Sequence, residues 1–537
     1  MMINTSYNTQ FNRNKKQSFG NGFELATQAF KILNESPAVG ATIVDVGFMA
    51  TPRTIVDSKR GFNAGMETGI RETSGSVNHA MIGAYGLLGA LCASPLLNLK
   101  YGIKASNIKA DSQTANLYSE MWQDFLKEAP KDASNKELRI NFINKIFENT
   151  YGLGNTSTQN SFWRKLPKES LEQTKGVLTE AIKDDNSGYK LSKDSFNSLK
   201  GIFISSLGTE QNLKIKYKEK TLALNLESLL NDTTSLSKAF TTDKIKNLYV
   251  NADTKGIEKF LKTFGKYKGV ATFIGLGIGS VVGASVQPIN RYLTKKRTGQ
   301  DGFVGVGHTD KAENTALFKF YKGLAVGAMG LLTYTSLGGK GLANIGRKIQ
   351  FKGIMPTLDQ FKLVYGITIM SRFVAARDTN ELRESTFKDF LGYTNWLILG
   401  GFVSKLIANK INPTLVHVNN PNNKKKLNAV DWLATSSLRT QNEILLSDAK
   451  RLNIPIIKDG KMRPFKEILQ DTIKKSSSTK TKIRGLNIAQ FAGIIYSGVV
   501  LGWAIPKINI YVTKKVNENT KYEKTIEELH AERMCIH

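Results

Sequence analysis

The sequence predicts an all-α fold: a multi-pass α-helical membrane protein with helix-rich soluble regions and one β-hairpin. Three observations carry that expectation. Residues 269–290 contain no charged side chain between Lys268 and Arg291, and at about 1.5 Å per residue such a helix crosses the ~30 Å hydrocarbon layer of a bilayer. Residues 75–99 and 486–506 are apolar runs of comparable length. The rest of the chain is polar enough to bring the mean hydropathy to -0.25, which suits a few spans joined by sizeable soluble regions.

Charge narrows the partners. Lys and Arg number 75 against 45 Asp and Glu, a formal +30, so the expected partners are the lipid bilayer and its anionic headgroups. Nucleic acid is not expected, because too few aromatic residues interleave with the lysines of 214–220 to stack bases. Cys92 and Cys535 are the two cysteines, and their settings imply no disulfide framework and a reducing compartment. The expected location is the cell membrane, as an integral protein with its large soluble regions in the cytoplasm.

In chain order, residues 1–36 read as a polar, disordered segment, where Arg13, Lys15 and Lys16 lead into polar residues instead of a secretory apolar run. Residues 37–99 form an N-terminal membrane-associated region. Its first part, 37–50, is apolar but short and carries Asp45, which suits a re-entrant or interfacial piece. Glu67, Arg71, Glu72 and His79 follow. The expected reading is a solvated helix face on which Glu67 and Arg71 pair at i,i+4; the alternative is a site at the mouth of the next helix. Gly83, Gly86 and Gly89 give the span of 75–99 a smooth side.

Residues 100–268 read as a soluble basic region. Tyr118, Trp122 and Phe125, then Leu138, Phe142, Ile143 and Ile146, recur at helical spacing. Leu213, Ile215 and Tyr217 alternate with lysines, and Leu222, Leu224 and Leu226 alternate again, which predicts a hairpin whose lysines guard an edge strand.

Residues 269–410 form the central membrane region. Gly275, Gly279 and Gly283 recur every four residues and make one face that another helix, or a second copy of the chain, approaches closely. Residues 323–339 and 390–404 are short candidate spans, for about four to six membrane segments in all. Residues 363–376 carry Arg372, which needs a partner or water inside a span but neither on an amphipathic surface helix. A second soluble region, 411–485, precedes the last span, 486–515, where Gly498 and Gly502 repeat the spacing of four. Residues 516–537 are a polar tail. The run INRYLTKK at 289–296 matches INIYVTKK at 508–515 in six of eight positions, and the same register aligns Gly279 with Gly498 and Gly283 with Gly502. That is either an internal duplication or convergence on a good interface anchor.

The search for catalytic chemistry is negative. His530, Cys535 and His537 in the tail lack a fourth metal ligand, and Gly302–His308 matches a phosphate loop only in its glycines. No catalytic residue, cofactor or metal is expected. Asp45, Arg372 and Asp389 are the candidate intramembrane polar residues, suited to an ion or solute path if they share a cavity. The function expected first is a non-enzymatic membrane scaffold or remodelling protein; the alternatives are a transporter or channel, and a peripheral or soluble nucleic-acid binder.

Overall fold

Long uncharged stretches with good caps become long helices. In the computed structural model, Asp253 caps the helix Thr254–Thr298 by accepting from the Gly256 amide, and Gly299, at φ 74°, ends it after Lys295, Lys296 and Arg297 have met the negative end of its dipole. The structure describes residues 43–516 apart from 153–165, 183–187, 302–311, 353–355, 419–426, 459–460 and isolated positions, together with a few residues between 23 and 31. The polar N-terminal segment expected for 1–36 lies almost wholly outside the described residues. So do the Gly302–His308 loop and the tail histidines.

We label the principal helices α1 (Thr51–Ser58), α2 (Phe62–Tyr101), α3 (Thr254–Thr298), α4 (Ala316–Ser336), α5 (Leu358–Ala375), α6 (Thr379–Ile398), α7 (Phe402–Ile411) and α8 (Ser477–Val516). Helices α2, α3 and α8 are long and apolar enough to cross a membrane, and the bent pair α6–α7 makes a fourth if counted as one span. Helices α4 and α5 are not among them. Lys319 and Lys322 interrupt the apolar run of α4, and Lys362 and Arg372 that of α5, so among the described residues three helices, or four with the bent pair, have the length and composition of a span, against the four to six expected.

α2 and α3 pack antiparallel along most of their length. An added Cβ on Gly89 would collide with the Ala271 carbonyl, and one on Gly275 would lie 2.9 Å from Gly86 Cα. Glycine is what brings the two backbones this close. α7 and α8 form a second antiparallel pair, with Gly485 against Ile411 and Gly493 against Ser404. α5 lies across α3, and the π-helical turn Val44–Ala50 with α1 lies across α8.

Residues 102–253 and 412–476, inserted after α2 and after α7, pack into one hydrophobic body. Trp122, Phe142, Phe203 and Phe240 share a core with Leu445, Ile468 and Ile483, and that core continues into Leu97 of α2 and Phe264 of α3. The hairpin is present as β2 (Leu213–Tyr217) and β3 (Lys220–Leu224), joined by β1 (Thr150–Gly152) in the antiparallel order β1-β2-β3. The expectation of an edge strand is corrected for Lys214 and Lys216, because β2 is central. Lys218 and Lys220 are not a free basic face either, since they pair with Asp124 and Glu120.

Candidate functional site

At the end of the helices away from the body formed by residues 102–253 and 412–476, charge is buried. Glu72 on α2 is the hub. Its Oε1 lies 3.1 Å from Lys388 Nζ, 3.2 Å from Arg71 Nε and 3.7 Å from Arg372 Nη1, and its Oε2 accepts from Arg53 Nη1 at 3.2 Å. Arg372 Nη1 also donates to Asp389 Oδ1 at 3.2 Å. All six residues are buried. Four cations therefore face two carboxylates, an arrangement that low-dielectric surroundings tolerate only when hydrogen bonds and counter-charges are close to balanced.

A second hub lies beside the first. Arg377 reaches Glu67 through both terminal nitrogens, with Nη1 at 3.2 Å, while its Nε donates to Glu381 at 2.9 Å. Arg60 holds both oxygens of Glu384, at 2.7 and 2.9 Å. The solvated-helix expectation for Glu67 and Arg71 is thereby overturned. The two do not pair with each other; Glu67 is 2% and Arg71 6% exposed, because α2 presents this face to α5 and α6 and not to water. The surface-helix reading of Arg372 falls for the same reason, since α5 is inserted in the bundle with Arg372 turned onto Asp389 and Glu72.

Of the three candidate intramembrane residues, the fold brings Arg372 and Asp389 together. Asp45 sits apart, its Oδ2 3.2 Å from Nδ1 of buried His79, whose ring meets those of Tyr365, Phe361 and Trp396 at 5.0 to 6.0 Å. The glycine faces are occupied within the chain: Gly279 meets Tyr85 and Val364, Gly283 meets Thr368 and Asn78, Gly498 meets Phe48, and Gly502 meets Phe48 and Pro52. No group of three or more His, Cys, Asp or Glu side chains suited to a metal occurs among the described residues.

The contacts repeat. Arg60 precedes α2 and pairs with Glu384 of α6; Arg377 precedes α6 and pairs with Glu67 of α2. Asn290 Nδ2 on α3 donates to the Glu67 carbonyl at 2.8 Å, and Asn509 Nδ2 on α8 donates to the Glu384 carbonyl at 3.1 Å. Arg53 pairs with Glu72 and Arg372 with Asp389, while Arg372 Nη2 lies over Gly75 and Arg53 Nη2 over Gly392. Such reciprocity is the signature of a two-fold relation. Because α3 and α8 both run from the inserted body to this polar end, the repeat is parallel, not inverted.

The sequence carries this signal, and the match at 289–296 and 508–515 is only its second part. Arg60, Asn63, Glu67, Thr68, Arg71, Glu72, Gly75, Asn78 and Gly83 recur at identical spacing as Arg377, Asn380, Glu384, Ser385, Lys388, Asp389, Gly392, Asn395 and Gly400. Each of these charges, weighed singly against its own helix, gives no hint of the other copy.

Between the halves a small polar pocket of about 30 Å³, room for one or two water molecules, opens to solvent. Equivalent residues line its two sides: Glu67 and Glu384, Thr68 and Ser385, Arg71 and Lys388. No known protein family, curated protein or solved structure matches this chain.

Away from the bundle, in the inserted body, Asp232 is buried with Oδ1 unpartnered among the described residues. Burial, and the Asp111 carboxylate after it, push its carboxyl up to about 7 against the pull of Lys352 and Lys268.

Proposed function

We propose that the chain is an integral membrane transporter of a small charged or polar solute, built from two duplicated halves with the solute site between them. The observation that carries this reading is the pocket whose walls come from equivalent residues of the two halves, backed by buried charge. Parallel repeats with a polar site at their interface are a transporter architecture. Ionisable groups buried in a membrane bundle are expensive and are retained where they serve a path or a switch. In this reading the soluble body, on the opposite end from the pocket, lies in the cytoplasm, and Tyr292, Tyr511 and the lysines beside them sit at the far headgroup layer.

The test is solute-driven swelling of proteoliposomes in a panel of small anions, cations and zwitterions. Wild-type chain should admit one class; Arg372→Gln and Asp389→Asn should insert and stop doing so. Equal swelling with and without the protein across the whole panel would sink the reading. The membrane-scaffold alternative keeps one supporting observation, a lipid-ready surface formed by Phe273, Val281, Leu331 and Trp503. It predicts insensitivity to both charge variants.

A further inference from the structure

We propose that a groove between α3 and the end of α5 seats the headgroup of one anionic phospholipid, with its phosphodiester between Arg291 and Lys295. This needs α3 to lie in a bilayer, as in the reading above, and needs no transport. The groove has a volume of about 380 Å³, in the range of small-ligand sites. Pro288, Arg291, Tyr292 and Lys295 line it from α3, Ser371 and Val374 from α5, and Asp301 completes the lining. Arg291 Nη2 and Lys295 Nζ each lie 3.3 Å from Asp301, on different oxygens. Two cations therefore share one carboxylate. Lys322 of α4 brings a third, its Nζ donating to the Val374 carbonyl at 3.0 Å.

The excess survives a wider count. Residues 288–322 hold seven Lys or Arg against Asp301, Asp310 and Glu313. The buried ion-pair clusters of the bundle add no charge, because with Asp57 their carboxylates equal their cations in number, and Asp378 at the start of α6 removes one. A phosphodiester carries one negative charge on two free oxygens, which suits a guanidinium and an ammonium set one helical turn apart. The surface next to the groove selects a lipid over a free anion. Toward the middle of the apolar run, α3 exposes Ile289, Val282 and Val281, a track for acyl chains, while the exposed Tyr292 ring marks the headgroup level. The duplicated half provides an internal comparison. Ile508, Tyr511, Val512 and Lys515 match Ile289, Tyr292, Leu293 and Lys296 in register and in exposure, so a general interface anchor is present twice. Ile510 stands at the position of Arg291. The guanidinium therefore belongs to one half, and one lipid per chain is expected.

The experiment is titration of the full chain, purified in detergent, with dioctanoyl phosphatidylglycerol, read by native mass spectrometry, with dioctanoyl phosphatidylcholine as the zwitterionic control. One phosphatidylglycerol per chain is expected, held about tenfold or more tightly than phosphatidylcholine, the scale of one charge-assisted hydrogen bond. Arg291→Gln should remove that preference, and Lys514→Gln in the duplicated segment should keep it. Asp301→Asn takes away the competing carboxylate and should tighten binding, a gain that misfolding does not imitate. Equal retention of the two lipids, or a preference unchanged in Arg291→Gln, overturns the proposal. Displacement of the lipid by millimolar inorganic phosphate overturns it too, by making the groove a site for a free anion. The transport reading fails separately: no solute flux with the phosphatidylglycerol preference intact removes transport and keeps the site, and flux with no preference between the lipids does the reverse.

Discussion

Arg60 grips Glu384 through both carboxylate oxygens, at 2.7 and 2.9 Å, across the interface between the two halves. Its counterpart Arg377 grips Glu67 in the opposite direction. The two clamps make the halves interdependent. Removing one partner of a buried pair strands the other, at roughly 3 to 5 kcal/mol, so Glu67→Gln and Glu384→Gln should each lower thermal stability in detergent. Double-mutant cycles should give comparable coupling for Arg60 with Glu384 and Arg377 with Glu67. A large coupling in one cycle and none in the other would contradict the two-fold relation.

Glycine substitutions should rank by contact. A Cβ on Gly279 meets the Tyr85 ring at 3.4 Å, an ordinary contact, whereas one on Gly283 runs into the Thr368 hydroxyl and reaches Asn78 at 3.0 Å. Gly283→Ala should therefore cost about 1 to 3 kcal/mol as overpacking, and Gly279→Ala little. Gly89→Ala, pressed onto backbone, should be the most damaging of the three. Fluorescence-detected size-exclusion after graded heating provides the comparison.

The body formed by residues 102–253 and 412–476 should lose stability as pH rises. Asp232 has a folded pKa of about 7, above the unfolded carboxyl value, so the folded state binds more protons in between. Stability from this group is complete below the unfolded value, falls by ~1.4 kcal/mol for each pH unit between the two values, and stays reduced above about 7. Asp232→Asn should flatten that slope and stabilise the protein at about pH 8. Unfolding midpoints taken from about pH 5 to about pH 8 would show it; an unchanged slope in the variant assigns the titration elsewhere.

Cys92 offers a test of whether α2 lies in a bilayer. It is exposed on the apolar half of α2. In a Cys535→Ser background reconstituted in lipid, it should resist a water-soluble maleimide and react with a lipid-soluble one, and both should label it after denaturation. Rapid labelling by the water-soluble reagent in intact vesicles would place that helix face in water.

Much of the architecture was legible in sequence because its causes are local. Uncharged runs such as 269–290 and 486–506 become helices whatever surrounds them, and period-two alternation at 213–224 makes a hairpin. Less was legible of the site. Glu67 and Arg71 have the spacing of a solvated pair, and the i,i+4 rule knows nothing of a helix from three hundred residues away. The pattern shared by Arg60–Gly83 and Arg377–Gly400 was present throughout, but its meaning lies in contacts between its two copies.

The helix inventory, the hairpin and the duplicated motif follow from the chain's local pattern, since propensity, capping and periodicity act over a few residues. Three outcomes came from packing alone: the glycine faces close within one chain, residues 102–253 and 412–476 share one core, and four cations converge on Glu72 and Asp389. They depend on which helix faces meet, and burial in a low-dielectric interior, which no single segment creates, turns weak surface charges into tightly coupled pairs.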